Sequence, residues 1–111
     1  MATTTNKILG QAAPSDTNNA NLITVGASKS QIISTLAIAN TTGTDATCRV
    51  FVRIAGATAA ASNAILYDVN ILKNSIAAFT LGITLAATDI VTIRSGTANA
   101  LTFTAFGTEI A

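Results

Sequence analysis

Histidine and tryptophan are missing from this chain, while cysteine, methionine, proline and tyrosine occur once each. Charge is scarce too: 10% of the residues are Asp, Glu, Lys or Arg, against about 25% in an ordinary soluble domain. Each shortage closes a class of chemistry. Without His there is no imidazole base or ligand. A single Cys cannot close a disulfide within the chain, and a zinc site of the Cys/His kind has no ligands. Six Lys and Arg against five Asp and Glu give a formal net charge of +1, too small a basic surplus to neutralise several phosphates or to hold an anionic membrane surface. The composition therefore predicts a structural protein with no catalytic residues, no cofactor, no metal, no nucleic-acid partner and no membrane partner.

The mean hydropathy of +0.53 raises the question of a membrane span, which takes about 20 mostly apolar residues. The best uncharged stretch, Asn74 to Thr88, is interrupted by Ser75, Thr80, Gly82 and Thr84. It is too short and too polar to span. The opening Met1-Ala2-Thr3-Thr4-Thr5-Asn6-Lys7 has neither the basic start nor the apolar run of a signal peptide, so no export signal is expected.

What the chain does contain is Ala, Thr, Ile and Asn, arranged with a period of two. In Thr47-Cys48-Arg49-Val50-Phe51-Val52-Arg53-Ile54 the even positions are small or aliphatic, while Arg49, Phe51 and Arg53 fall on the other side. Ile65, Tyr67, Val69 and Ile71 alternate with Leu66, Asp68 and Asn70; Val91 and Ile93 alternate with Thr92 and Arg94. Such alternation marks strands buried on one face. Turn-forming clusters punctuate these runs, at 12–20, 26–30, 40–45, 56–63, 73–74, 86–89 and 96–99. Eight strands are predicted, near 7–11, 21–25, 31–39, 47–55, 64–71, 75–81, 89–95 and 100–107. The fold class is all-β: a single antiparallel β-sandwich or jelly-roll-like barrel. Residues 1–6 read as a flexible Thr-rich N-terminal arm and 7–111 as the one β-sandwich domain. Ala55–Ala64 has no amphipathic stripe and reads as a loop.

A surface built of Ala, Thr, Ser and Asn with so little charge is prone to stick to itself. Coverage by neighbouring subunits resolves this, so a homo-oligomer is expected, with a trimer as the working number.

The candidate sites are few. Cys48 lies on the apolar side of its strand, with no base to activate it, and reads as a small core hydrophobe. Asp16, Asp45 and Asp89 fall in turns, where a carboxylate bonds nearby backbone amides. Asp16-Thr17-Asn18-Asn19 offers oxygen ligands but no closing acid for calcium, and a turn is the simpler reading. Tyr67 is expected to face inward with its hydroxyl at the rim. Glycine spacing gives no phosphate cradle. Arg49, Phe51 and Arg53 form the candidate interface, since an exposed Phe between two arginines is what interfaces favour. Pairing of this strand with 64–71 would set Asp68 opposite Phe51, between the arginines. The alternative is a cross-strand charge pair on a wet surface.

Four segments carry a family resemblance: Lys7-Ile8-Leu9-Gly10-Gln11-Ala12-Ala13-Pro14, Ile65-Leu66-Tyr67-Asp68-Val69, Thr80-Leu81-Gly82-Ile83-Thr84-Leu85-Ala86-Ala87-Thr88-Asp89-Ile90-Val91 and Phe103-Thr104-Ala105-Phe106-Gly107-Thr108-Glu109-Ile110. From Lys7 to Ile110 the chain resembles small β-sandwich structural proteins of tailed bacteriophages. The resemblance implies a virion component assembled in the host cytoplasm, with no catalytic motif. Its expected role is capsid decoration, a cement that stabilises the shell by bridging subunits of the major capsid protein. A tail, baseplate or fibre component is the alternative within the virion, and a receptor- or carbohydrate-binding module the alternative outside that class.

Overall fold

The computed structural model describes residues 3–111. Nine strands run in chain order: β1 Thr4–Ala12, β2 Ala20–Thr24, β3 Ser30–Asn40, β4 Ala46–Arg53, β5 Ala64–Ile71, β6 Ile76–Phe79, β7 Ile83–Leu85, β8 Ile90–Ser95 and β9 Leu101–Ile110. Among the described residues there is no α-helix, and so no helix long and apolar enough to cross a membrane. The strands form two antiparallel sheets. Sheet A has the order β1-β9-β3-β6, with β7 pairing the same side of β3 as β6; sheet B has the order β2-β8-β4-β5. The architecture is the expected β-sandwich.

Alternation explains the sandwich. In β9, Phe103 and Ala105 are buried while Thr102 and Thr104 between them are part-exposed. In β4, Ala46, Cys48 and Val50 are buried between Thr47 and Arg49. The inner faces meet in one core, where Ile33, Leu36, Ile38 and Phe103 from sheet A pack with Val50, Val91 and Ile93 from sheet B. Phe103 is the largest fully buried side chain, and truncation of such a Phe to Ala costs about 3–5 kcal/mol.

Turn chemistry closes the strands. Asn74 and Asn99 take left-handed φ values of 50° and 58°, a conformation Asn tolerates better than most residues. The Asp16 carboxylate accepts the Asn18 amide at 3.1 Å, an Asx turn that fits the turn reading of this segment. Asp45 accepts the Lys73 amide and Asp89 accepts those of Ala55 and Ala86. Gly107 serves a close approach: a Cβ there would collide with the backbone carbonyl oxygen of Ile32.

The structure departs from expectation at three places. The Thr-rich start is not loose where it is described. Thr4, Thr5 and Asn6 pair with Ile110, Glu109 and Thr108, and the Thr108 hydroxyl donates to Asn6 Oδ1 at 2.7 Å. Threonine suits a strand, and β9 runs three residues past the predicted end at 107 to supply the partner. Residues 1–2 of that proposed arm lie outside the described residues. Strand β7 is the ninth, too short at three residues to announce itself by alternation. Gly82, at a φ of 62°, lets the chain leave β3 after β6 and rejoin it.

The third departure is phase. β5 carries bulges at Ile65 and Asp68, because its register to β4 jumps from Val69 to Tyr67 and from Leu66 to Ala64. Asp68 sits at a φ of 54°. An inserted residue transfers everything beyond it to the other face. Leu66, Val69 and Ile71 therefore pack on the core, and Tyr67 turns outward, 48% exposed.

Candidate functional site

Strand alternation sends residues 49, 51 and 53 of β4 to the outer face of sheet B. Their surroundings then differ. Arg49 forms a two-point ion pair with Asp68, Nε to Oδ1 at 2.7 Å and Nη2 to Oδ2 at 3.1 Å. Its guanidinium carbon also lies 4.1 Å from the centre of the Tyr67 ring, within cation–π range. Hydrogen bonding from Arg49 holds the Asp68 carboxyl below the usual carboxylate range, opposed by partial desolvation, with the charges of Arg49 and Arg94 adding to it. The same hydrogen bond raises the Arg49 guanidinium.

Phe51 is not the exposed anchor expected of an interface. It is 3% exposed, buried apart from the cluster that fills the space between the sheets. Tyr67 meets it edge-on, with ring centres 6.4 Å apart and planes at 85°. The bulges in β5 cause this, since Tyr67 would have faced the core without them. They also remove Asp68 from the place opposite Phe51, which Ala64 takes instead.

Arg53 works alone. Its Nε and Nη2 donate to the carbonyls of Ala57 and Gly56, and Nη1 donates to Asn21 Oδ1 and Thr92 Oγ1. The side chain thus ties the 55–64 loop, which contains two short 3-10 turns, back to the sheet. The three candidates do not form a single contact patch: Arg49 joins a charged cluster, Phe51 is covered, and Arg53 is a loop anchor.

The alternation that pointed Arg94 outward did not reveal its neighbour. β8 lies beside β4, and Arg94 falls directly across from Arg49. Arg94 Nε donates to the Thr17 carbonyl at 2.8 Å. Thr47, Cys48, Arg49, Asp68, Arg94 and Gly96 line an open depression of about 210 Å³. Two guanidinium groups side by side repel one another, and Asp68 supplies the counter-charge. Cys48 reaches this depression from the core side and is 1% exposed. Burial, with a further push from the Asp68 charge, raises its thiol to about 11, so it stays protonated at neutral pH. Among the described residues no three His, Cys, Asp or Glu side chains gather as a metal site. The arrangement is suited to planar, charge-assisted contact with a polar surface.

No protein-family model matches the chain, and no curated protein matches it. Among solved structures, a chain in the structure of infectious bursal disease virus, Gx strain, is similar in fold. The TM-score is 0.50 with 13% sequence identity, over 98% of this chain and 31% of the viral one. The present chain thus spans about a third of the length of the viral chain it resembles.

Proposed function

We propose that this protein is a virion structural component that decorates and cements a bacteriophage capsid. The observation that carries the reading is the likeness of nearly the whole sandwich to a chain of a virus structure, together with the sequence resemblance to tailed-phage structural proteins. The reading also draws on chemistry. An unreactive buried thiol, carboxylates committed to turns and an internally paired arginine cluster suit a protein that works through its surfaces. A cement acts by binding the assembled shell in preference to its dissociated parts, so mass action favours the intact particle. Repetition on a symmetric shell lets modest contacts add. The Arg49–Asp68–Tyr67 cluster with Arg94 is the polar contact we assign to the shell.

Cross-linking mass spectrometry on purified particles tests this, with Lys7, Lys29 and Lys73 as handles. Links to the major capsid protein are expected. Links confined to tail proteins would move the protein to a tail, baseplate or fibre role, and absence from the particle would end the virion reading.

A further inference from the structure

The outer face of sheet A carries no charge among its described residues. Register fixes which side chains lie there: those paired with Thr102, Thr104, Phe106, Thr108 and Ile110 of β9 share one face, opposite to buried Phe103 and Ala105. The two charged residues in the strands of this sheet, Lys7 and Glu109, have the other parity. They pair with each other at 3.2 Å at the end of the inner face. What remains outside is Thr, Ala and the polar Asn6, Gln11 and Ser30, interrupted by exposed Ile8, Ile32, Ile76 and Phe106. The two amides are engaged within the face, Gln11 donating to Thr104 Oγ1 and Asn6 Oδ1 accepting from Thr108. Ile8 stands directly opposite Phe106 across the β1–β9 ladder, and Ile32 occupies the next row along.

The sheet edges, by contrast, are closed to strand addition. β1 has a bulge between Ile8 and Gly10 and turns Lys7 inward. On the other side of sheet A the edge consists of β6 and β7, four and three residues long. In sheet B, β2 is bulged between Asn21 and Ile23 and β5 is bulged twice. Bulges, short strands and inward charges are the devices that block edge-to-edge pairing. Association of this chain is thereby directed to a face.

We infer that the outer face of sheet A is the surface by which two copies of this chain pack against each other about a two-fold axis. Electrostatics select the second copy as occupant. In a two-fold contact a residue near the axis meets itself, so any charge there faces its like. A face without charge can be laid on its own copy without that repulsion, and it offers a foreign partner no charge by which to be steered. The net charge of +1 adds almost no repulsion between copies. The area is sufficient. Four strand positions spaced about 4.8 Å apart and some 34 Å of β9 give roughly 650 Å² per copy, or about 1,300 Å² together, above the ~1,000 Å² a biological interface clears. An isologous contact gives even-numbered assemblies, in place of the trimer taken as the working number.

Light scattering across a dilution series of the full chain tests the inference. A species of twice the 11.2 kDa monomer mass is expected, dissociating on dilution. Thr104→Lys and Thr104→Glu, each in the middle of the face, are expected to weaken association at least tenfold, and mixing the two to restore it. Thr24→Lys, exposed on the outer face of sheet B in the row of Arg53, is expected to leave it intact. Circular dichroism establishes that each variant is folded. Should a Thr104 variant not fold, hydroxyl-radical footprinting of the wild-type protein decides: Phe106 protected when concentrated and labelled when dilute supports the contact. A wild-type monomer at every concentration, a dimer indifferent to both Thr104 substitutions, or unchanged Phe106 labelling overturns it. The inference does not rest on the virion reading. Absence from particles leaves the dimer standing, and a monomer leaves the virion role standing.

Discussion

The two outer faces of the sandwich obey the same alternation and are finished in opposite ways. On sheet B, all three arginines of the chain point outward, and each is bound to its own protein: Arg49 by Asp68, Arg53 by the loop it anchors, Arg94 by the Thr17 carbonyl. The one phenylalanine among them is roofed by Tyr67. On sheet A, the outward phenylalanine is Phe106, 40% exposed, and no charged side chain shares its face. Sheet B has thus satisfied its polar groups internally, and its charges fix the shape of the patch they sit in. Sheet A leaves its apolar groups exposed with no charge among them, whereas the exposed Tyr67 of sheet B has the Arg49 guanidinium against its ring. A face of the second kind lowers the free energy of association only when something lies upon it.

Substitutions can break that contrast. Gly107→Ala on sheet A should have the largest effect, because the added Cβ meets the carbonyl oxygen of Ile32, a backbone atom that cannot rotate away. Loss of about 3 kcal/mol in urea denaturation is expected, at the upper end of overpacking. Phe51→Ala on sheet B should cost a similar amount, about 3 kcal/mol, since its ring is covered. Phe106→Ala, equally outward by parity, should cost less than about 1 kcal/mol in dilute solution. Equal costs for the two phenylalanines would erase the distinction between a finished and an open face.

Acid gives the smallest and most general effect. Asp45, Asp68 and Glu109 all have carboxyls held below their ordinary values of 3.8 and 4.5, chiefly by hydrogen bonds from the Lys73 amide, Arg49 and Gln31 respectively. The unfolded chain therefore binds protons at a higher pH than the folded one. Stability from these groups is complete above the ordinary carboxylate range and is lost as pH falls through the lowered folded values. Thermal melts should show a plateau at neutral pH and a decline that begins below about pH 5. Asp68→Asn, which keeps a side chain tolerant of the left-handed backbone, should make that decline shallower. An unaltered profile would remove Asp68 from the set.

Much of this was legible before any coordinates. Seven of the predicted strands fall on β2, β3, β4, β5, β6, β8 and β9 within a few residues, because hydrophobic alternation and turn residues are local signals. The eighth, predicted at 7–11, lies inside β1. Cys48 in the core and Asp16 in its turn follow from the same local logic. What failed was non-local. Tyr67 and Phe51 change places between core, surface and cover because β5 inserts Ile65 and Asp68 into the ladder, and a bulge has no periodic signature in a run as apolar as Ile65-Leu66-Tyr67. Thr4–Asn6 have their partner more than a hundred residues away, which no window on the sequence connects. Arg94 was visible as outward but could be set beside Arg49 only once sheet order was known.

The position of β9 between β1 and β3 also has a consequence in time. The first strand hydrogen-bonds to the last, and the third strand has the last as a neighbour too, so sheet A cannot close while synthesis is still under way along the middle of the chain. Sheet B, drawn from β2, β4, β5 and β8, can complete earlier. Pairings of such long sequence separation fold slowly, because the entropy of closing a large loop is lost before its contacts form. The uncharged face of sheet A therefore does not exist until β9 has joined the sheet, since that strand supplies its central row.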